Sequence, residues 1–265
     1  MTIAPQRSIV EQGAARIEVL TRGLTSGNQP PVILIPSLGR GAEDFADLAT
    51  RLAHAGFRAI TPQPRGFGAS RGPMENITLH DLAKDMAAII NANGGGPAVI
   101  GGHAFGNFVA RTTAADFPRL VKGVVLIAAT HLWPLPDNIR KSIHDSHITA
   151  QPEQQLRALQ HAFFAPGHDA SVWLGGWNET VMHAERAATD ATPKAEWWAA
   201  GSAPVLDIIP ADDIMTPPHE RNRYVDEMGA QRVTTVLIAD AGHALLPEQP
   251  EATASALIHY LKASG

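Results

Sequence analysis

Three short stretches of this chain hold side chains placed for acid–base or nucleophilic chemistry. In Gly101-Gly102-His103-Ala104-Phe105-Gly106, two glycines stand two positions either side of Ala104. A sharp strand-to-helix turn needs that spacing, because the residue at its tip is crowded and flanking glycines relieve the crowding. A nucleophile at the tip would be thrust above a sheet. The methyl of Ala104 has neither lone pair nor ionisable proton, so covalent attack from this position is impossible as the sequence stands. The second stretch, Asp212-Asp213-Ile214-Met215-Thr216-Pro217, offers a carboxylate, and the third, Gly242-His243-Ala244-Leu245-Leu246-Pro247-Glu248, offers an imidazole. Such a histidine takes a proton from a hydroxyl and passes it to a leaving group, while a buried carboxylate fixes its tautomer and stabilises the imidazolium. Asp213 is the expected partner of His243. Asp212 is the alternative, since the sequence does not say which side chain turns inward.

The elements that must position these groups read as an α/β protein. Short β-rich runs alternate with amphipathic stretches: VILIP (32–36), a helix over 45–56, RAITPQP (58–64), a helix over 78–93, AVIGG (98–102), a helix over 105–118 and VKGVVLIAAT (121–130). That alternation predicts βαβ units in a mostly parallel sheet, whose strands are apolar on both faces. From 131 to about 200 the alternation stops, and helix-like pieces such as PDNIRKSIHDSH and PEQQLRALQHAFF are broken by proline and glycine. The sheet resumes with PVLDIIPADD (204–213), a helix over 218–229, RVTTVLIAD (232–240) and a last helix over 247–263. One α/β core, 1–130 and 201–265, is expected, divided by a helical cap, 131–200. All five tryptophans, Trp133, Trp173, Trp177, Trp197 and Trp198, fall in the insertion, either to roof an apolar pocket or to pack the cap on the core.

Composition narrows the class. The chain has 265 residues, 45% hydrophobic and 18% charged, as suits a globular protein with a sizeable core. A net charge of -5, with no Lys/Arg run, supplies no field for nucleic acid or an anionic membrane. With no cysteine there are no disulfides, thiolate metal sites or cysteine nucleophile. Neither an apolar leader nor a membrane-spanning run is evident, so a cytoplasmic location is expected. His144 and His147 could share a helix face but lack H-E-x-x-H and a third ligand. Gly66-Phe67-Gly68 begins a dinucleotide fingerprint that Arg71 interrupts. Neither a metal nor a nucleotide cofactor is expected.

With its motifs on loops that follow strands, the chain resembles the α/β-hydrolase family over nearly its whole length. GGHAFG is similar to that family's G-H-S-x-G turn, DIMTP to its acid loop, and AGHALLPEQPE to its histidine-bearing ending. VILIPSLGRGAEDF is placed like the family's first strand and oxyanion loop, with Pro36-Ser37 where His-Gly is usual, and TPQPRGFGASRGP resembles a further turn, with Gln63 where Asp is common. The resemblance implies an α/β-hydrolase fold, an Ala104 nucleophile position, an Asp213 and His243 acid–base pair, and oxyanion donors from the backbone N–H groups of Leu38 and Phe105. His103 is read as a packing or locally hydrogen-bonding residue and Arg40 as an exposed arginine outside the site.

Three meanings of Ala104 are open. The chain is a serine hydrolase whose serine has been changed to alanine, leaving a substrate-trapping pocket; or a naturally non-catalytic relative that binds a small ligand; or an enzyme that uses His243 without covalent catalysis. Intact acid, base and turn glycines favour the first. Serine is the expected missing nucleophile, because an Asp nucleophile would more naturally be replaced by Asn. A cap of roughly seventy residues would obstruct a polymer, so a small ester or lactone is the expected substrate, with C–C bond cleavage the alternative reaction.

Overall fold

The computed structural model describes residues 3–23, 29–130, 135–148 and 151–263. Among these, eight strands form one sheet in the order β1-β2-β4-β3-β5-β6-β7-β8: β1 Gln6–Gln12, β2 Ala15–Arg22, β3 Val32–Ile35, β4 Ala59–Pro62, β5 Ala98–His103, β6 Val121–Ile127, β7 Val205–Pro210 and β8 Val233–Ile238. β1 and β2 pair antiparallel, as do β2 and β4, and every pair from β4 through to β8 is parallel. The mostly parallel α/β sheet expected from the apolar runs is present. The β1–β2 hairpin has no signature in the strand pattern, because β1 is almost wholly exposed and carries no alternating apolar pattern. Its turn does carry a signal: Gly13, at φ 55, opens a two-residue connection of the kind whose twist suits a hairpin.

Successive residues of a buried strand face opposite sides, so the sheet needs cover on both. Ile33 and Ile100 pack on one face, with helix α2 (Leu79–Ala92) supplying Leu79, Met86 and Ile90 and helix α3 (Gly106–Asp116) supplying Val109 and Ala110. Val32, Leu34 and Val125 pack on the other, beneath Leu48 and Leu52 of α1 (Ala46–His54). Full burial of a leucine such as Leu52 contributes about 1.5–3 kcal/mol, which is why these amphipathic helices dock rather than stay in solution.

Between β6 and β7 the described chain holds helices α4 (Asp137–Ile148), α5 (Pro152–Phe163), α6 (Glu179–Asp190) and α7 (Lys194–Trp197), and no strand. Two helices expected after β7 are interrupted. Pro217-Pro218 confines the first to a 3-10 turn, Pro218–Glu220, followed by α8 (Arg223–Met228). Pro250 starts a new helix, so the last one divides into α9 (Leu245–Glu248) and α10 (Pro250–Ala263).

Strand order decides where a site can form. The chain leaves β3 for β4 on one side and then crosses to β5 on the other, which makes the carboxyl ends of β3 and β5 a topological switch point, where loops diverge and leave a crevice. Ile35 is opposite Gly102 in that pair, so the loops carrying Leu38 and Ala104 leave neighbouring strand ends.

Candidate active site

At the end of β5, Ala104 holds φ 47, in the left-handed region that residues with a Cβ seldom occupy. Its N–H donates to Ile127 O at 3.0 Å and its carbonyl accepts from Asn107 N–H at 3.1 Å, which fixes the turn between β5 and α3. Both flanking glycines are required by close approach. A Cβ on Gly102 would lie 2.0 Å from the carbonyl carbon of Gly106, and one on Gly106 would lie 2.2 Å from Ile35 O. The turn is thus a strained elbow carrying a methyl at its tip, in the strand-to-helix setting that the glycine spacing implies.

Asp213 follows β7 and His243 follows β8. Nδ1 of His243 lies 2.9 Å from Oδ2 of Asp213, and both residues are 3% exposed. Asp213 Oδ1 accepts from Met215 N–H at 2.8 Å, so both carboxylate oxygens are engaged. Donation from Nδ1 leaves Nε2 as the lone-pair nitrogen, the tautomer a general base requires. Asp212 is exposed, and its N–H donates to Ala241 O at 2.8 Å. The structure therefore brings Asp213, and not Asp212, to His243.

The loop around His243 is held from two sides. Glu248 accepts from Gly242 N–H at 2.8 Å and from Ala165 N–H at 2.6 Å, and Ala244 N–H donates to Phe163 O at 2.8 Å. Burial pushes the Glu248 carboxyl above its ordinary value, against the two backbone donors that lower it. His103, fully buried, donates from Nε2 to His243 O at 2.8 Å, which agrees with its expected local hydrogen bonding. Burial, then the neighbouring His243, lowers its pKa to about 3, so His103 is neutral at physiological pH.

The loop after β3 tightens through a turn in which Arg40 N–H donates to Ser37 O at 3.0 Å, with Gly39 at φ 64. Gly39 is gripped from α6 and its cap: Glu185 Oε2 accepts its N–H at 2.7 Å, and Asn178 N–H donates to its carbonyl at 2.9 Å. The N–H groups of Leu38 and Phe105 have no acceptor among the described residues. Gln63 ties the neighbouring loop down, accepting from Ala42 N–H at 2.9 Å and donating to Glu43 at 2.7 Å.

Arg40 is not an exposed arginine. It is 3% exposed, forked onto Asp44 by two 2.8 Å bonds, bonded to Gly175 O at 2.8 Å, and set against both Trp173 and Trp177, with its guanidinium carbon 4.7 Å from each ring centroid. Those two indoles pack the segment between β6 and β7 onto the rest of the fold. Trp197 and Trp198 do the same farther along, with Trp197 4.6 Å from the ring of Phe108 and Trp198 5.2 Å from that of Tyr224. Trp133 lies outside the described residues. The rings of His144 and His147 are 6.3 Å apart, and among the described residues no third metal-ligating side chain joins them. No described helix is long and apolar enough to cross a membrane.

An elbow after β5, donors free after β3 and β5, and an acid–histidine pair after β7 and β8 make up the site layout of one fold family. The model of the alpha/beta hydrolase fold matches residues 30–165, just over half of the chain, and the protein belongs to that family. Among its relatives, a provisionally named non-heme bromoperoxidase, BpoC, of Mycobacterium tuberculosis is 28% identical over 251 residues, covering 89% of this chain and 95% of the relative. A provisionally named carbamate hydrolase, RutD, of Variovorax paradoxus is 27% identical over 229 residues, covering 80% and 84%. Of solved structures, a thermophilic esterase from Thermogutta terrifontis superposes with a TM-score of 0.78 at 22% identity, covering 98% of this chain and 99% of that one.

Proposed function

We propose that this site is the acyl-transfer site of a hydrolase of small esters or lactones, with alanine in place of the serine nucleophile, so that the chain binds substrate and turns it over little. The observation that carries the reading is the buried 2.9 Å contact between His243 and Asp213, retained beside an elbow whose glycines admit no Cβ. A buried imidazole–carboxylate pair is costly unless its charges are compensated, and its chemical use is to accept and return a proton. Relatives named as a carbamate hydrolase and an esterase support the class.

With a hydroxyl at position 104, His243 Nε2 takes its proton as the oxygen attacks the substrate carbonyl. The N–H groups of Leu38 and Phe105 hold the resulting oxyanion, and Asp213 stabilises the imidazolium. His243 returns the proton to the leaving alkoxide, and water repeats the sequence on the acyl intermediate. No cofactor enters. Residues 131–200 act as a cap over a core of 1–130 and 201–265, enclosing a small substrate. The test compares the unmodified chain and Ala104→Ser against short-chain esters, aromatic esters and lactones. Turnover is expected only with the serine, and substrate affinity is expected in both; equal turnover by the two forms would instead assign the chemistry to His243 acting directly on water.

A further inference from the structure

The histidine loop and the chain that leaves α5 are built against each other. Glu248 Oε2 accepts from Gly242 N–H at 2.8 Å, and Oε1 reaches 83 positions back to accept from Ala165 N–H at 2.6 Å. A second bond runs the other way, from Ala244 N–H to Phe163 O at 2.8 Å. Between these bonds the two backbones touch, so that a Cβ on Gly242 would lie 2.6 Å from both Ala165 N and Phe163 O. Gly242, Ala165, Ala244 and Glu248 are all buried, and a buried N–H must be given an acceptor.

Both partners of Glu248 are donors, so both of its oxygens have to accept. A carboxylate does this. An amide of the same shape cannot, because it offers one oxygen and sets its NH2 against the other N–H. The position therefore asks for the charge of glutamate rather than for its volume. What the clasp holds lies beside the imidazole: Phe163, whose carbonyl serves Ala244, also lays its ring against that of His243, with centroids 5.6 Å apart. His103 Nε2–H secures His243 O at 2.8 Å, and Asp213 secures Nδ1 at 2.9 Å. Release of the 163–165 backbone would withdraw the Phe163 ring and leave the imidazole able to turn away from Asp213.

We infer that Glu248 is a positioning residue for His243: its carboxylate locks the chain after α5 onto the histidine loop, and the Phe163 ring so placed keeps the imidazole turned toward Asp213. The inference deepens the acyl-transfer reading and rests on it for the use of the imidazole, but its first test needs no turnover. In the unmodified chain, NMR follows the proton on His243 Nδ1, assigned by its loss in His243→Ala, together with exchange of the Gly242 and Ala165 amides. Glu248→Gln is expected to speed exchange of all three by roughly tenfold or more, the factor that corresponds to one charge-assisted hydrogen bond lost. Glu251→Gln removes the same charge from an exposed neighbour and is expected to change none of them. In the Ala104→Ser background, Glu248→Gln is expected to lower the maximal rate of labelling by a serine-directed phosphonate by a similar factor and to leave the half-saturating concentration unchanged.

A Glu248→Gln protein that melts earlier yet keeps the Nδ1 resonance and its exchange rate would reduce the residue to a structural brace and overturn the assignment. Equal effects of Glu251→Gln would do the same. If Glu248→Gln does not fold, exchange in the unmodified chain decides: the Gly242, Ala244 and Ala165 amides and the Nδ1 proton are expected to open as one unit, and independent, faster opening at Ala165 would overturn the clasp. Disturbed His243 signals in Glu248→Gln, beside an Ala104→Ser chain that takes up no phosphonate, would retain the positioning role and remove the acyl-transfer reading.

Discussion

Arg40→Ala gives a sharp test of how the segment between β6 and β7 is fixed to the loop after β3. If Arg40 and Asp44 formed an ordinary exposed pair four residues apart, the change would cost about 0.3–0.5 kcal/mol. The structure argues otherwise, because the two side chains are 4% and 15% exposed and the guanidinium makes three 2.8 Å hydrogen bonds. Removing one partner of a buried ion pair costs roughly 3–5 kcal/mol, since the other charge stays behind. Each indole, its centroid 4.7 Å from the guanidinium carbon, adds a cation–π contribution of about 0.5–2 kcal/mol. Partial solvent access to Asp44 works in the other direction, so a loss of about 4 kcal/mol is expected. Urea unfolding followed by far-UV circular dichroism measures it, and tryptophan fluorescence reports the indoles separately. Arg40→Lys should recover only part of the loss, because an ammonium cannot fork onto a carboxylate. Arg40→Ala with Asp44→Ala should cost less than the sum of the single changes. A loss below about 1 kcal/mol for Arg40→Ala would refute the clamp.

Three further outcomes follow from the geometry. His80 bridges Asp116 at 2.7 Å and Glu196 at 2.8 Å, and the hydrogen bond to Asp116, followed by that to Glu196, raises its pKa above 6.5. Its stabilisation is complete below the unfolded value and is lost as pH rises through the folded one, so the Tm deficit of His80→Gln should be larger at pH 6 than at pH 9. For Glu185, raised from 4.5 to about 8 by burial, the folded state holds the proton longer and stability declines as pH rises across that interval; Tm of the unmodified chain should therefore fall relative to Glu185→Gln between pH 5 and pH 9. Gly102→Ala would set a Cβ 2.0 Å from backbone, and should lower Tm by more than the several degrees expected of an overpacked core, or prevent folding, as thermal melts would show.

Which parts of this site could be read from sequence depends on the distance over which each residue's environment is built. Ala104, Asp213 and His243 sit directly after apolar runs that announce buried strands, and their glycine and proline neighbours mark the turns. Local pattern was enough to place them at one rim. It was not enough to separate Asp212 from Asp213, because that depends on which side chain the turn after β7 sends inward. Arg40 looked like a solvated residue because the tryptophans that enclose it are more than a hundred residues away; its bond to Gly175 spans 135 positions. Glu185 lies in a polar helix, and the backbone N–H it accepts belongs to Gly39, 146 positions earlier. The β1–β2 hairpin escaped for the opposite reason: an edge strand with exposed side chains has no face to betray it.

Position 104 is proposed to be a nucleophile position served by His243 and Asp213. Reaction of Ala104→Ser with a serine-directed phosphonate, followed by mass spectrometry, tests it without knowledge of the substrate. Stoichiometric modification at residue 104, absent from the unmodified chain and strongly slowed by His243→Ala in the serine background, is the expected result. A folded Ala104→Ser protein that takes up no phosphonate at residue 104 would contradict the claim.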